Sequence, residues 1–165
     1  MTMTLVETIT VGSGGAASIE FTGIPQDGVD LLLKYSSRSS STSNLALVNL
    51  NGDSGSNYTY VSLEGFSGSV FSFEGTLTGA RVGGQPSDYT ADTFGNSNFY
   101  ISNYTSAANK SISAEGVAEN NGADANIRLF AYSYSTSSSI TAISIAPNYA
   151  GNWVEHSTAS LYIIS

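Results

Sequence analysis

The sequence predicts an all-β protein: an antiparallel β-sandwich, jelly-roll-like, of about eight or more strands. Three observations predict it. Apolar and polar residues alternate with a period of two through most of the chain. Clusters of Gly, Ser, Asn and Asp interrupt that alternation at intervals of about 8–12 residues, the spacing of sandwich and barrel turns. No window carries a helical apolar stripe capped at both ends. Composition agrees, because 10 Tyr, 7 Phe and many Ser, Thr and Asn favour strands and turns. Hydrophobic residues reach 41% and charged ones only 11%, so the chain can bury a core and is not a disordered mixture. An immunoglobulin-like sandwich fits less well. The 165 residues are long for it, and the Cys-Trp-Cys signature is missing because there is no Cys.

The elements run in order. Leu5, Ile9 and Val11 share one face of the first run, and Ala17, Ile19 and Phe21 share a face of the second. "GIPQDG" breaks the pattern. Residues 30–35 form a strand whose Leu31-Leu32-Leu33 centre suggests burial on both sides. Residues 44–50, 58–63 and 70–73 read as strands. Residues 75–92, with "TGARVGGQPSDYT", read as a long loop at one end of the fold. Phe99 and Ile101 mark the next strand, and residues 110–118 another. Ala125, Ile127, Leu129 and Ala131 then alternate with Asn126, Arg128, Phe130 and Tyr132. Thr141, Ile143 and Ile145 form the next strand. In the last one Ala159, Leu161 and Ile163 face one way, and Ser160, Tyr162 and Ile164 the other. Without a repeat or linker, residues 1–165 read as a single sandwich domain, with 1–16 an extended N-terminal arm or the first strand.

Charge narrows the function. The formal net charge is −8, from 13 acidic and 5 basic residues, and no Lys/Arg cluster relieves it. A polyanion is repelled on average, so nucleic acid is not an expected partner. No stretch is long and apolar enough to span a bilayer as a helix, so no membrane partner is expected. The start "MTMTLVETITV" has no basic segment or apolar run of a signal peptide. The lack of Cys excludes disulfides and thiolate metal sites.

Catalytic chemistry finds little purchase. The single histidine, His156 in "WVEHST", cannot build a usual zinc site alone and reads as a loop or rim residue. No G-x-S-x-G marks a nucleophile. Glu64, Glu74, Asp88, Asp92, Glu115, Glu119 and Asp124 are candidates for a glycosidase pair, but no motif fixes partners among them. The expectation is a non-enzyme with no catalytic residues, no metal and no cofactor. "NGDSGSN" spaces Asn51, Asp53 and Asn57 like the start of a calcium loop. Gly55 stands at a ligand position, however, and Leu63 where the closing Glu belongs. The loop reads as a turn between two strands. Three Asn-x-Ser/Thr triplets, at Asn57, Asn103 and Asn109, are what such a composition produces by chance. The aromatics point instead to contacts. Tyr58, Tyr60, Tyr104, Tyr149 and Trp153 are the candidate residues for binding subunits or partners.

Several segments in order resemble a family of tailed-phage virion proteins common among marine and cyanobacterial phages. They are "IEFTGIPQDGVDLLLKYSSRSS" (19–40), "NLNGDSGSNYTYVSL" (49–63), "FYISNYTSAANKS" (99–111) and "ITAISIAPNYAGNWVEHSTASLYIIS" (140–165). The family pattern has Gly-Ser before the last strand and Leu-Tyr-Gly-Ile within it. Here His156-Ser157 and Leu161-Tyr162-Ile163-Ile164 stand instead, which puts the local bend in question. The resemblance implies a β-sandwich on the virion, as a homotrimer. It covers both capsid decoration (cement) proteins and the head domains of head or tail fibres. A fibre is expected to carry an anchor or a repetitive shaft, and this sequence shows neither. The expected function is therefore capsid decoration: a trimer on the capsid exterior, made in the host cytoplasm, bound to the major capsid protein and stabilising the head. The alternative is a receptor-binding fibre module that recognises host surface glycans.

Overall fold

The computed structural model describes residues 2–122 and 125–165, so Met1 and the candidate carboxylate Asp124 lie outside the described residues. Twelve antiparallel strands build it: β1 (Met3–Thr10), β2 (Ile19–Thr22), β3 (Asp30–Ser37), β4 (Leu45–Leu50), β5 (Tyr58–Phe66), β6 (Ser69–Leu77), β7 (Ala80–Gly83), β8 (Gly95–Ile101), β9 (Lys110–Ala118), β10 (Asn126–Tyr134), β11 (Ala142–Pro147) and β12 (Thr158–Ile164). No helix occurs among the described residues. The strands form an eight-stranded sheet, β1-β12-β3-β8-β9-β10-β5-β6, and a four-stranded sheet, β2-β11-β4-β7.

Eight of these strands are a jelly roll. Four pairs, β1 with β12, β2 with β11, β3 with β8 and β4 with β7, are nested as in a long hairpin rolled over two sheets. Two further hairpins, β5–β6 and β9–β10, are inserted between core strands. They dock side by side through β10 and β5 and extend one sheet outward from β8. The large sheet is therefore twice as wide as the small one that covers it, and β1 and β6 are its two edges.

The core lies between the sheets. Leu31, Leu33, Phe99, Ile101 and Leu161 from the large sheet meet Val48, Leu50, Ile143, Ile145 and Phe21 from the small one, all buried. Each such side chain contributes about 1.5–3 kcal/mol by leaving water. Leu32 is only half-buried, because it points to the outer face while Leu31 and Leu33 point in. The structure thus corrects the two-sided burial expected there.

Tyrosines stitch the two sheets. Tyr132 OH donates to Arg81 O at 2.6 Å and accepts from Arg81 N at 2.8 Å. Tyr58 OH accepts from Leu50 N at 2.9 Å, and its ring stacks on Tyr134 at 4.6 Å. Tyr35 OH donates to Gly83 O at 3.1 Å. A phenol suits this place because its ring fills the apolar interior while its hydroxyl satisfies backbone groups of the opposite sheet.

Of the two alternatives for the N-terminal run, the structure has the first strand: Met3 to Thr10 pair along β12. One other expectation changes. The long loop expected at 75–92 holds the end of β6 and all of β7. The segment after β7 is organised by Arg38, whose guanidinium donates to the carbonyls of Ser87, Tyr89, Thr90 and Thr93 at 2.6–3.1 Å. In β10 the apolar-looking set faces out. Ile127 and Leu129 are exposed, while Asn126, Arg128, Phe130 and Tyr132 are buried. Arg128 is neutralised inside by Glu64 at 2.8 Å and also donates to Asn44 O and Asn126 Oδ1.

Candidate functional site: the outer face and free edge of the large sheet

Because β-strand side chains alternate, each cross-strand row on the outer face can be read from the register. One row runs Ser160, Lys34, Asn98, Glu115, Leu129, Leu63 from β12 to β5. Its first half is polar and internally bonded. Lys34 Nζ donates to Asn98 Oδ1 at 2.9 Å, and Asn98 Nδ2 donates to Glu115 Oε1 at 2.6 Å. Tyr100 stands beside this ladder. Its hydroxyl donates to Asp30 Oδ2, and that bond, with some burial, raises the phenol above its ordinary value. A shallow groove of about 540 Å³ runs over Leu32, Lys34, Tyr100, Glu115 and Leu129.

The second half of the face is aliphatic. Leu129 and Ile127 of β10 stand beside Leu63 and Val61 of β5, with Val117 of β9 and Val70 of β6 flanking them. All six are exposed. A second patch lies on the opposite side of the β5–β6 hairpin. The hairpin turns through Ser67 and Gly68, both with positive φ (49° and 74°), the two-residue turn that matches strand twist. Tyr58 and Ser62 are buried at the other end of the hairpin, but toward the turn the small sheet does not reach, and there the inner side is left uncovered. Phe66 and Phe71 stack there at 4.7 Å, and Phe73 stacks on Phe71 at 6.4 Å, all three still exposed.

The aromatics singled out in the sequence fall elsewhere. Tyr58, Tyr104 and Trp153 are fully buried. Trp153 Nε1 donates to Ile145 O at 2.9 Å, and Tyr104 OH donates to Pro25 O. These rings hold the fold and present nothing to a partner. Tyr60 is half-buried against Phe130 and Tyr132, and Tyr149 is exposed on the loop after β11. The residues that sequence reasoning missed are Val61, Val70, Phe71, Phe73, Ile127 and Leu129. A signal was present: "SVFSFE" and "NIRLFAY" carry apolar residues at both phases of the alternation, so some must face outward unless both sides are covered.

The loop "NGDSGSN" is a closed turn. Asp53 Oδ1 accepts from Gly55 N at 2.7 Å, and Asp53 Oδ2 accepts from Asn57 Nδ2 at 2.8 Å. These two bonds hold the Asp53 carboxyl below its usual range. Asn51 pins the chain ahead of β11: its amide donates to Ser139 O at 2.7 Å and accepts from Thr141 N at 2.8 Å. Among the described residues no group of three or more His, Asp or Glu is placed to hold a metal ion. Of the carboxylates weighed for hydrolysis, Glu64 is bonded to Arg128, Glu115 to Asn98, and Glu119 to Asn121 N. His156 is exposed in the turn before β12.

No family model matches the chain, and no curated protein matches it. Among solved structures it is similar to a protein of unknown function from Shewanella oneidensis MR-1, at 14% identity and a TM-score of 0.31, over 99% of this chain and 76% of that one.

Proposed function

We propose that this chain is a structural protein of a tailed-phage virion: a capsid decoration (cement) protein that binds the outside of the major capsid shell as a trimer and stabilises the head. The observation that carries the assembly part of this reading is the apolar surface on both sides of the β5–β6 hairpin, at a free sheet edge. Exposed patches of that kind are the chemistry of protein association. The place on the virion comes from the sequence resemblance over segments 19–40, 49–63, 99–111 and 140–165. The mechanism is binding. Trimers clamp neighbouring capsid subunits against internal DNA pressure, and the −8 charge steers them to basic patches on the shell. The test is copy number per virion, with rebinding of recombinant protein to stripped heads. Hundreds of copies and salt-sensitive rebinding are expected. A few copies, or no rebinding at any salt, rejects decoration.

A second reading, a fibre module for host glycans, is favoured by one observation. The Lys34–Asn98–Glu115 ladder beside the Tyr100 ring offers the donors, acceptors and flat apolar face that a sugar uses. It requires binding to host cells that Asn98→Ala weakens. Protein that neither binds cells nor blocks infection counts against it.

A further inference from the structure

We propose that Asn121 is a site of spontaneous covalent modification, losing its side-chain amide to attack by the Gly122 backbone nitrogen, while the fold protects the same dipeptide at Asn51-Gly52.

The chemistry is intramolecular and needs only water. The Gly122 nitrogen attacks Asn121 Cγ. A new N–C bond forms, the Cγ–Nδ2 bond breaks, and ammonia leaves with the proton that the glycine nitrogen gave up. The product is a five-membered cyclic imide. Water then opens the ring at either carbonyl, which leaves aspartate or isoaspartate. The balance is one water taken up and one ammonia released. Glycine favours the step because no Cβ hinders the approach of its nitrogen. The chain has two Asn-Gly dipeptides, Asn51-Gly52 and Asn121-Gly122.

Backbone shape does not tell them apart, since both asparagines have φ 55°. Their bonds do. Asn51 is half-buried and tied to the start of β11. Its Nδ2 donates to Ser139 O at 2.7 Å, and its Oδ1 accepts from Thr141 N at 2.8 Å and Ala142 N at 3.1 Å. Its own N–H donates to Ala142 O at 2.9 Å. The Asn51 side chain cannot swing toward Gly52 until these bonds break together. Asn121 and Gly122 are both exposed. The Asn121 side chain makes no hydrogen bond among the described residues. Its backbone N–H donates to Glu119 Oε2 at 2.9 Å, and Gly122 N donates to Asn120 Oδ1 at 2.9 Å. Both bonds are exposed, so water replaces them in a local opening of low cost.

The place gives the reaction a consequence. The loop joins β9 to β10, two central strands of the large sheet. It borders a hollow of about 380 Å³ lined by Val117, Glu119 and Ile127. Conversion sets a new carboxylate beside Glu119 and takes the formal charge from −8 to −9. This part of the surface grows more acidic as the molecule ages. At Asn51 the same loss would remove the donor to Ser139 O and damage the turn.

The experiment is to hold the purified full chain in mildly alkaline buffer for days, then digest it and locate the amide-to-acid mass gain by mass spectrometry. Trypsin separates the sites, because residues 39–81 carry Asn51 and residues 111–128 carry Asn121. In the folded chain Asn121 should convert about tenfold or more faster than Asn51. In concentrated urea the two rates should converge, since the tether of Asn51 is gone. Gly122 lacks a positive φ, so Gly122→Ala should keep native circular dichroism and slow conversion at Asn121 about tenfold. An Asn121 that does not convert, equal rates in the folded chain, a gap that survives in urea, or conversion undiminished by Gly122→Ala overturns the proposal.

Discussion

A methyl group on Gly116 would stand 2.7 Å from Gly83 Cα, so the two sheets touch backbone to backbone at this point. Ser97 Oγ and Tyr35 OH both donate to Gly83 O beside it. Gly116→Ala must push β7 off the large sheet and loosen the bonds to Gly83. The expected cost is about 3 kcal/mol, a fall in Tm of roughly 6–12 °C for a chain of this size. Gly14→Ala, where nothing lies within 4 Å, should be near neutral. Calorimetry on the two variants separates a packing effect from a general glycine effect.

The buried tyrosines set an alkaline limit. Burial pushes the Tyr134 phenol up to about 12. It raises Tyr35, Tyr58 and Tyr132 further still. Their folded values lie above the ordinary 10.0, so the unfolded chain loses these protons first. The stability they confer is whole below pH 10 and is lost as pH rises through the folded values. Unfolding above pH 10 should be cooperative, with tyrosinate absorbance rising together with loss of the β-sheet signal. Tyr132→Phe should soften that limb. Absorbance that rises fully while the sheet signal stays native contradicts burial as the cause.

Asn51 and Asp53 make different predictions in one turn. Asn51→Ala removes the bonds to Ser139, Thr141 and Ala142 together, at an expected cost of about 2–3 kcal/mol by denaturant titration. Asp53 acts through pH. Its carboxyl is held below 3.8, so its contribution is present above that pH and disappears as pH falls through the folded value. Asp53→Asn should therefore lower stability at neutral pH and flatten the acid limb of the profile, because the charge-dependent contribution is gone at every pH. An unchanged acid limb would show that the turn does not depend on the charge.

His156, in the turn before β12, has a left-handed backbone at φ 71°. A residue with a Cβ is strained in that bend, and glycine is not. His156→Gly should stabilise the chain by about 0.5–1 kcal/mol after the extra freedom of the unfolded glycine is counted. An unchanged or lower Tm would place a favourable contact on the imidazole.

The jelly roll was legible because its strands keep a clean alternation: Leu31 and Leu33, Phe99 and Ile101, and Ile143 and Ile145 all point inward as the period requires. The widened sheet was not legible. The inserted hairpins share the same period, and nothing in "NIRLFAYSY" says which phase faces the small sheet. Tertiary position decides it, since the inner side of β10 meets Arg81 through Tyr132 and holds the Arg128–Glu64 pair. The aromatic contacts were misplaced for a related reason. A tyrosine reads as amphipathic whether its hydroxyl reaches water or the carbonyl of another sheet, and Tyr58 and Tyr104 found protein partners. The apolar edge showed itself only as two-phase hydrophobicity, which has no meaning until the sheet that fails to cover it is known.

The pairing of β1 with β12 governs when the molecule can form. Thr2 and Ser165 exchange both backbone hydrogen bonds, at 2.8 and 3.0 Å. A ribosome therefore releases β1 long before it makes the strand that β1 must join. Until then the first strand lacks its partner in the sheet, since β12 is the strand it pairs with. Such non-local pairing slows folding to the range of milliseconds to seconds. Meanwhile the β5–β6 edge is already synthesised and sticky. Folding is thus set against a competitor: pairing β12 with β1 must outrun premature meetings of exposed hairpins from different chains, and dilution favours the first.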